Sequence, residues 1–467
     1  MRNFKLEELN LKEPLFFTIS NLGGGGSDKY REVVYADLLK NTPTLFNYYY
    51  LKYGDFATGW LREMGNYENF SDFLDYVRKD MIYNRNFFCS GYEFQENYSS
   101  RNTCLLLDSG ASNIKNKIIK NESIFNIERF KEHFSNEMIE YYKFADRFKF
   151  HFVIGFDIGG KYTFKGEERT NETIINNNLE IERNSSEINS YLLEKTIEFY
   201  KGSTKFFPKI YAPVHGKTPD EYRKNVEYIL FLEKKYGVKF FGFALGGIAS
   251  SKQIIKEDWN ISDDKLEELK KLSSVSKVQI TNCLLASYAC RIVKEKVGDR
   301  PIHALGAGNI LNIIPLTYFG ATSFDSQTPG RRAYDGNSKS SANVFNICSK
   351  DSFSKYLIGL LDKNFNAINN NSGALSYKSL NLVNDEAVDL CGCPICSKFE
   401  IEDIKKLYNQ KEISNEYYYL ARQLLNGHSV WQHNYLCKAL NEDKLEFLEN
   451  SSLKNLFIKL IKTIREN

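Results

Sequence analysis

Long apolar runs and an excess of one charge sign are both missing from this sequence. The 467-residue chain carries 62 basic and 59 acidic residues, a formal net charge of +3, so binding to a polyanion would depend on a local basic surface. The first residues, MRNFKLEELNLKEP, contain no apolar run of the signal-peptide kind, and there is no stretch of about 20 apolar residues that could span a bilayer. We therefore expect a soluble, cytoplasmic protein with no membrane partner.

Cysteine is too sparse for a disulfide scaffold. Six of the nine cysteines are scattered singly along the chain, a pattern typical of a reducing compartment. The other three, Cys391, Cys393 and Cys396, form the segment CGCPIC. Three thiolates at this spacing can bind a metal ion, and a closed zinc site requires four ligands. The segment therefore predicts a zinc site whose fourth ligand lies elsewhere.

Two histidines downstream of this segment are candidates for the fourth ligand. His428 in LLNGHS and His433 in WQHN lie on a helical stretch that begins near Ser414 and can fold back onto the cysteines. We favour His428, because its spacing from Leu424 and Leu425 places it on the buried face of that helix; His433 is the alternative. A complete Cys₃His tetrahedron has no open position, so the bound Zn²⁺ would stabilise the fold and would not react.

Short apolar stretches alternate with amphipathic helical stretches, the pattern that builds parallel sheets. Seven candidate strands run without polar alternation, as strands covered on both faces do. They are LFFTIS (15–20), CLLLD (104–108), FHFVIGFD (150–157), FPKIYAPV (207–214), KFFGFAL (239–245), PIHALG (301–306) and ATSFD (321–325). With an eighth strand that the pattern does not locate, they predict an α/β fold, a (β/α)₈ TIM barrel with insertions, and a doubly wound open sheet is the alternative.

The same pattern predicts how the chain is divided. A TIM-barrel catalytic domain is expected over residues 1–380, with an insertion at about 48–101, where Tyr, Phe and Asn are frequent without a clear period. Residues 381–467 are expected to form the zinc-binding subdomain and C-terminal helices.

Two segments between the predicted strands differ in character. The segment TPDEYRKNVEYILFLEKKYG is predicted to be a helix capped by Thr218 and closed by Gly237.

The polar stretch at 165–186, KGEERTNETIINNNLEIERNSS, is predicted to be a mobile surface loop or a small hairpin.

Polar residues stand at the ends of several predicted strands. Asp108, Asp157 and Asp325 each end a strand, His215 follows another, and a Gly-Gly turn begins at Gly246. In a barrel, the chemistry gathers at the carboxyl ends of the strands. One carboxylate after a strand is often only a helix cap, but three with glycine turns between them indicate an active site.

Four motifs together resemble the tRNA-guanine transglycosylase superfamily. HALGAGNILNIIPLTYFGATSFDSQTPGRRAYDG (303–336) is similar to one strand-to-strand segment of that family, and LLLDSGA, FALGGIA and CGCPIC with a downstream histidine follow the family's order. The resemblance implies a TIM barrel with a zinc subdomain that exchanges guanine in a polynucleotide for a 7-deazaguanine base.

The resemblance also implies roles for the carboxylates. Cleavage of a glycosidic bond passes through an oxocarbenium-like state that a carboxylate can trap covalently, and Asp325 in ATSFD matches the family's nucleophile. A second carboxylate protonates the departing base, a role that Asp108 in LLLDSGA matches. Asp157 in FDIGG matches the residue that reads the base. Gly246 and Gly247 have no side chains that would keep backbone groups from a flat base.

The departures from the family lie in base and backbone recognition. Ser112 belongs to the segment GASN, which replaces a GGFQ motif with its stacking aromatic, and His215 in PVHG stands where a glutamine is usual. In PGRRAYDG, Arg331 is retained for phosphate contact and is followed by Arg332, while Tyr334 replaces an arginine. We regard Ser112 and His215 as base-binding candidates and the two arginines as nucleic-acid-binding candidates.

These departures, with the long insertion before Asp108, favour the DNA-guanine transglycosylase branch. The expected partners are DNA, a 7-deazaguanine base, helper proteins that open the duplex, and a second copy of the chain. A queuine-type enzyme acting on tRNA and a non-catalytic partner subunit of such an enzyme are the alternatives. The partner-subunit alternative is the weaker one, because Asp108 and Asp325 are both present.

Overall fold

The structure is a computed structural model. It describes residues 15–20, 22, 34, 38–54, 60–84, 100, 103–121, 126–159, 170–203, 205–248, 256–259, 261–272, 276–327, 329, 393–395, 397–399, 403, 406–407, 415–441 and 453–466.

Eight parallel strands close into a barrel in chain order. They are β1 (Leu15–Ser20), β2 (Thr44–Asn47), β3 (Leu105–Asp108), β4 (Phe152–Ile154), β5 (Lys209–Val214), β6 (Gly242–Leu245), β7 (Ile302–Ala304) and β8 (Ser323–Ser326). Each strand pairs with its sequence neighbour, and β1 closes the ring by pairing with β8, with Phe17 opposite Asp325. This confirms the predicted TIM barrel and excludes the open sheet.

The strand that the sequence pattern did not locate is β2. It contains only the four residues Thr44–Asn47, and Tyr48–Tyr53 continues as a helix directly after it. Only two of its residues, Leu45 and Phe46, are apolar, so the strand does not stand out as a separate apolar run.

Helices surround the barrel. They are α1 (Tyr48–Tyr53), α2 (Trp60–Glu63), α3 (Phe70–Asn84), α4 (Ala111–Asn121), α5 (Ile127–Arg147), α6 (Glu172–Arg183), α7 (Ser185–Gly202), α8 (Pro219–Tyr236), α9 (Asp263–Lys271), α10 (Lys277–Val297), α11 (Ile310–Tyr318), α12 (Asn415–Asn441) and α13 (Leu453–Glu466), with 3₁₀ turns at Met64–Asn66 and Lys256–Trp259. None of the helices in the described ranges is both long enough and apolar enough to cross a membrane.

The predicted helix after β5 is confirmed, including both of its caps. The side chain of Thr218 accepts a hydrogen bond from the backbone N–H of Glu221 at the start of α8. Gly237 ends the helix with φ of 67°, a left-handed conformation that glycine adopts without steric cost.

The prediction of a loop or hairpin at 165–186 is wrong over Glu172–Arg183, where α6 lies, and residues 165–169 lie outside the described residues. The Asn171 side chain caps this helix by accepting from the backbone N–H of Ile174. Ile181 and Asn177 are buried against the rest of the protein. Tertiary burial of one helix face therefore outweighs the low helix propensity of the asparagine run.

Two apolar cores lie on either side of the sheet. Along each strand, every second side chain points into the barrel and fills its interior. The side chains between them point outwards and pack under the surrounding helices. The interior cluster comprises Phe17, Leu45, Cys104, Leu106, Phe152, Ile154, Tyr211 and Ala244. Because successive residues of a strand point to opposite faces, Asp108 continues the inward row of Leu106, and Asp325 continues that of Ser323.

The stretch predicted as an insertion contains α1, α2 and α3. The ring of Phe70 in α3 packs at 4.7 Å from Phe46 and 4.8 Å from Phe150, measured between ring centroids. This helix therefore covers the outer face of β2 and the start of β4. Residues 55–59 and 85–99 of the stretch, and the predicted domain boundary at 380, lie outside the described residues.

A buried ion pair ties α8 to the segments that lead into β6 and β7. Arg300 donates from Nη1 and Nη2 to Glu233 at 2.7 and 2.6 Å. Glu233 also accepts from the backbone N–H of Phe240 at 2.7 Å. The side chains of the two charged residues are only 14% and 8% exposed, so their partners are needed to offset the cost of desolvation.

We predict that Glu233→Ala destabilises the fold by about 3–5 kcal/mol, because it leaves the Arg300 guanidinium buried without its carboxylate. The matched control is Glu227→Ala, which breaks the exposed Glu227–Lys296 pair and should cost less than about 1 kcal/mol. Urea unfolding followed by circular dichroism measures both. Equal shifts of the two midpoints would contradict the prediction.

Candidate active site

The predicted polar residues that the structure describes converge at one end of the barrel. Asp108 ends β3, Asp325 lies in β8, His215 directly follows β5, and Asp157 lies three residues beyond β4. All strands are parallel, so these positions share the carboxyl-terminal mouth. The negative charges of Asp157 and Asp325 both act on Asp108, which places the three carboxylates in one electrostatic unit.

Asp325 is the most enclosed of the three carboxylates. Its side chain is 7% exposed, and Oδ1 lies 3.1 Å from His303 Nε2. The same oxygen accepts from the backbone N–H of Gly306 at 2.8 Å, and the Asp325 carbonyl accepts from the Gly308 N–H at 2.9 Å. Gly306 adopts φ of 66°, which turns the chain around the carboxylate. Oδ1 is thus held by the His303 ring and the Gly306 N–H. Among the described residues, Oδ2 of Asp325 has no hydrogen-bond donor.

Asp108 is held at the rim by the neighbouring strand. Asn47, the last residue of β2, donates from Nδ2 to Asp108 Oδ2 at 3.2 Å, and the Gly110 N–H donates to the same oxygen at 3.2 Å. Asn47 Oδ1 accepts from the backbone N–H of Tyr50, which fixes the orientation of the amide. Burial, followed by the negative charges of Asp157 and Asp325, raises the pKa of Asp108 to about 7.

Asp157 and His215 form a close pair. Asp157 Oδ2 lies 2.5 Å from His215 Nε2, with the two side chains 13% and 28% exposed. Asp157 Oδ1 accepts from the Gly159 N–H at 2.9 Å. Burial opposes the charged form of both groups, but their mutual attraction prevails, so the pKa of Asp157 is lowered and that of His215 is raised. Both shifts favour the charged form of the pair, in which a carboxylate lies next to an imidazolium.

The glycine pair after β6 makes room for this arrangement. A Cβ atom on Gly246 would lie 2.3 Å from Cε1 and 2.4 Å from Nδ1 of His215, so no larger residue fits beside the ring. Gly247 has φ of 77°, where a side chain would be strained. The Tyr222 hydroxyl donates to the Gly246 carbonyl at 2.7 Å. That a base contacts the backbone here stays a prediction.

Of the remaining predicted site residues, the structure describes Ser112 but not the two arginines. Ser112 lies in the first turn of α4, directly after the Asp108 turn, and is partly exposed. Arg331 and Arg332 lie outside the described residues, as does Tyr334.

Asn47 and His303 are site residues that the sequence analysis missed. Asn47 ends the strand that the pattern did not locate, so it had no place in the predicted barrel. His303 lies within the predicted strand PIHALG, whose other residues give no sign of a polar site. A histidine in a buried strand, opposite Ser323 and one inward position below Asp325, is the signal that could have found it.

The cysteine segment contacts α12 at the predicted histidine. Cys393 is fully buried, and its Sγ lies 3.2 Å from His428 Nδ1. Gly427 precedes this histidine, and a Cβ there would lie 2.7 Å from Ile395 Cδ1, so glycine permits the close approach of the loop. Cys391 and Cys396 lie outside the described residues, and within the described part no group of three metal-ligating side chains occurs.

His433, the alternative ligand, has different surroundings. Its Nδ1 lies 2.6 Å from the Ser429 carbonyl oxygen, so this nitrogen donates to the preceding helical turn. Its ring packs at 4.6 Å from the ring of Phe16 in β1, measured between centroids. Of the two histidines, His428 is the one seen in contact with Cys393.

No protein-family model matches this chain, and the curated proteins searched contain no match to it.

Chemically, the barrel mouth combines groups of different proton affinity. A carboxyl group with a pKa near 7 can give and take a proton at neutral pH. A carboxylate held by a backbone N–H and a histidine can act as a nucleophile or stabilise a cation. The Asp157–His215 pair offers hydrogen-bond acceptors and a donor at the rim. Together these groups can carry out acid–base and nucleophilic chemistry.

We predict that Asp108→Asn gains stability relative to the wild type as pH rises. The folded-state pKa of Asp108, about 7, lies above its unfolded value of about 4, so the wild type loses stability as pH rises through this window. The difference between pH 4.5 and pH 8 should be on the order of 1–3 kcal/mol. Asp299→Asn is the exposed control, and thermal unfolding is the measurement. A constant difference between Asp108→Asn and wild type would show that Asp108 titrates normally.

Proposed function

We propose that this protein is a guanine transglycosylase that exchanges guanine in a polynucleotide, DNA in preference to tRNA, for a 7-deazaguanine base. The observation that carries the proposal is that two different carboxyl groups lie at one barrel mouth. Asp108 has a pKa of about 7, and Asp325 is an enclosed carboxylate. The motif resemblance supports the same assignment of roles.

In the first step, the free oxygen of Asp325 attacks the anomeric carbon of the nucleotide. The bond from this carbon to the base nitrogen breaks, its electron pair leaves with guanine, and Asp108 supplies the proton that the departing base needs. A sugar–aspartyl ester results, as in retaining glycosidases.

In the second step, the incoming deazaguanine gives its ring N–H proton to Asp108. Its nitrogen attacks the anomeric carbon, and the ester bond breaks with its electron pair returning to Asp325. Asp108 thus ends as it began, protonated, and Asp325 ends as a carboxylate. A pKa near the working pH suits a group that must donate and then accept one proton.

The Asp157–His215 pair is proposed to read the base. Asp157 retains lone pairs that can accept from the ring N–H and amino group of a guanine-type base. His215 Nε2 is engaged by Asp157, and Nδ1 has no hydrogen-bond partner among the described residues. In the imidazolium form Nδ1 donates, and a base carbonyl is the matching acceptor. Ser112, Gly246 and Gly247 would complete this pocket.

DNA is the proposed polynucleotide because the departures from the tRNA enzymes concern base and backbone recognition. Arg331 and Arg332 would hold phosphates, and binding through them weakens with salt. A duplex base must be flipped out at a cost of a few kcal/mol, so single-stranded or locally opened DNA should react faster unless a helper protein opens the duplex.

The cysteine segment is proposed to hold one structural Zn²⁺ through Cys391, Cys393, Cys396 and His428. In a tetrahedral site with ordinary zinc–ligand distances, the sulfur and nitrogen atoms lie about 3.5 Å apart, close to the 3.2 Å between Cys393 Sγ and His428 Nδ1. The ion would join the cysteine loop to α12 and take no part in the reaction.

The metal assignment predicts about one zinc per purified chain. His428→Asn should lose the zinc because it removes a ligand. His433→Asn is the matched control on the same helix, retains a side-chain donor for the Ser429 carbonyl, and should keep the metal. Elemental analysis of both variants is the measurement. If only His433→Asn loses zinc, His433 and not His428 is the fourth ligand. If the wild type contains no zinc, the proposed zinc site is wrong.

The reaction predicts a covalent intermediate. Wild-type protein incubated with a guanine-containing single-stranded DNA oligonucleotide should give an adduct that survives a denaturing gel, and Asp325→Asn should give none. Asp108→Asn should lower the exchange of labelled guanine by about 10²–10⁴-fold, the range for loss of a general acid. Asp299→Asn, exposed and at the opposite end of the barrel, is the control.

The same assay compares single-stranded DNA, duplex DNA and tRNA. Incorporation into tRNA and into no form of DNA would reject the DNA assignment and leave the catalytic aspartates in place. Normal exchange by Asp325→Asn would reject the mechanism.

A further inference from the structure

A chain of polar groups runs through the barrel interior beneath Asp325. His303 in β7 is fully buried, and its ring lies between Phe17 at 5.8 Å and Tyr211 at 5.7 Å, measured between centroids. On one side its Nε2 lies 3.1 Å from Asp325 Oδ1, and on the other its Nδ1 lies 2.8 Å from Ser323 Oγ. Both ring nitrogens are therefore occupied, and neither can reach a substrate.

The register of β7 and β8 produces this contact. His303 lies opposite Ser323, and Asp325 is the next residue of β8 on the same face, because side chains alternate along a strand. The His303 imidazole therefore bonds to the hydroxyl of Ser323, the residue opposite it in β8. It also bonds to the carboxylate of Asp325, two residues further along β8 towards the mouth. A shorter side chain at position 303 could not span both groups.

The proton positions follow from what each partner can do. An ionised carboxylate only accepts hydrogen bonds, so His303 Nε2 must carry a proton that it donates to Asp325. A charged imidazolium is disfavoured in an interior lined by aromatic rings, which leaves Nδ1 without a proton. Nδ1 then accepts from the Ser323 hydroxyl.

We propose that His303 is a positioning residue for Asp325, fixed by Ser323 as the neutral Nε2–H tautomer. Together with the Gly306 N–H it holds Oδ1, so that the other oxygen faces the mouth. Its donation stabilises the carboxylate before attack and again when the ester breaks, because in both states Asp325 is the anion. The catalytic part of this inference rests on the proposed function, whereas the tautomer and the orientation do not.

The tautomer is tested without any substrate. Long-range ¹H–¹⁵N spectra of the ¹⁵N-histidine-labelled protein should contain one ring in the Nε2–H tautomer. This signal should be missing from His303→Gln. In Ser323→Ala the Nε2–H preference of the same ring should weaken. An Nδ1–H tautomer or an imidazolium at His303 would overturn the proposal.

The positioning role is tested by covalent-adduct formation on single-stranded DNA. His303→Leu should slow adduct formation by at least about 10-fold with the KM for DNA unchanged, because the attacking oxygen of Asp325 is no longer held in position. His303→Gln, which keeps an N–H donor, should recover part of the rate. Thermal unfolding identifies variants that fail to fold.

The outcomes of the two tests are distinguishable. A wild-type rate of adduct formation in His303→Leu would refute the positioning role. If the wild type forms no adduct with DNA or tRNA, the proposed function fails, and the spectra alone decide whether His303 is held as the Nε2–H tautomer beneath Asp325.

Discussion

Closure of the barrel between β1 and β8 is the constraint on which the site depends. Pairing of Phe17 with Asp325 fixes the height of β8 in the ring, and the two-residue alternation of each strand then decides which side chains enter the interior. Apolar residues fill the lower positions of that interior. A shift of one residue in β8 would turn Asp325 towards the helices and bring its apolar neighbour Phe324 into the mouth.

Three carboxylates in one enclosed mouth cannot all be ionised without compensation, and each is compensated differently. Asp157 is bonded to His215, whose raised pKa favours the cationic form. Asp325 has the Gly306 N–H and the neutral donor that we assign to His303. Among the described residues, Asp108 accepts from the amides of Asn47 and Gly110. Burial and the charges of Asp157 and Asp325 outweigh these bonds and raise its pKa to about 7. The environments separate the proton affinities of chemically identical groups, which is how one site can hold both an acid and an anion.

The sequence predicted the architecture better than the contacts within the site. Buried parallel strands lie in apolar runs, so seven of them were visible, whereas β2 has only Leu45 and Phe46 as apolar residues. Asp108, Asp157 and Asp325 were predictable because strand ends converge in a barrel. The helix α6 was missed because its stability comes from burial, which local composition does not report. Asn47 and His303 were missed because their importance depends on which residue lies on the neighbouring strand.

The cysteine segment and the barrel mouth are linked through the outer face of β1. His433 in α12 packs against the ring of Phe16, and a Cβ on Gly308 would lie 2.8 Å from the same ring. Gly308 donates its N–H to the Asp325 carbonyl. Helix α12 thus supports the turn that encloses Asp325, five residues along from the histidine that contacts Cys393. A metal bound at that histidine would act on the reaction only by stiffening this helix, because its site lies on the outer side of the sheet from the carboxylates.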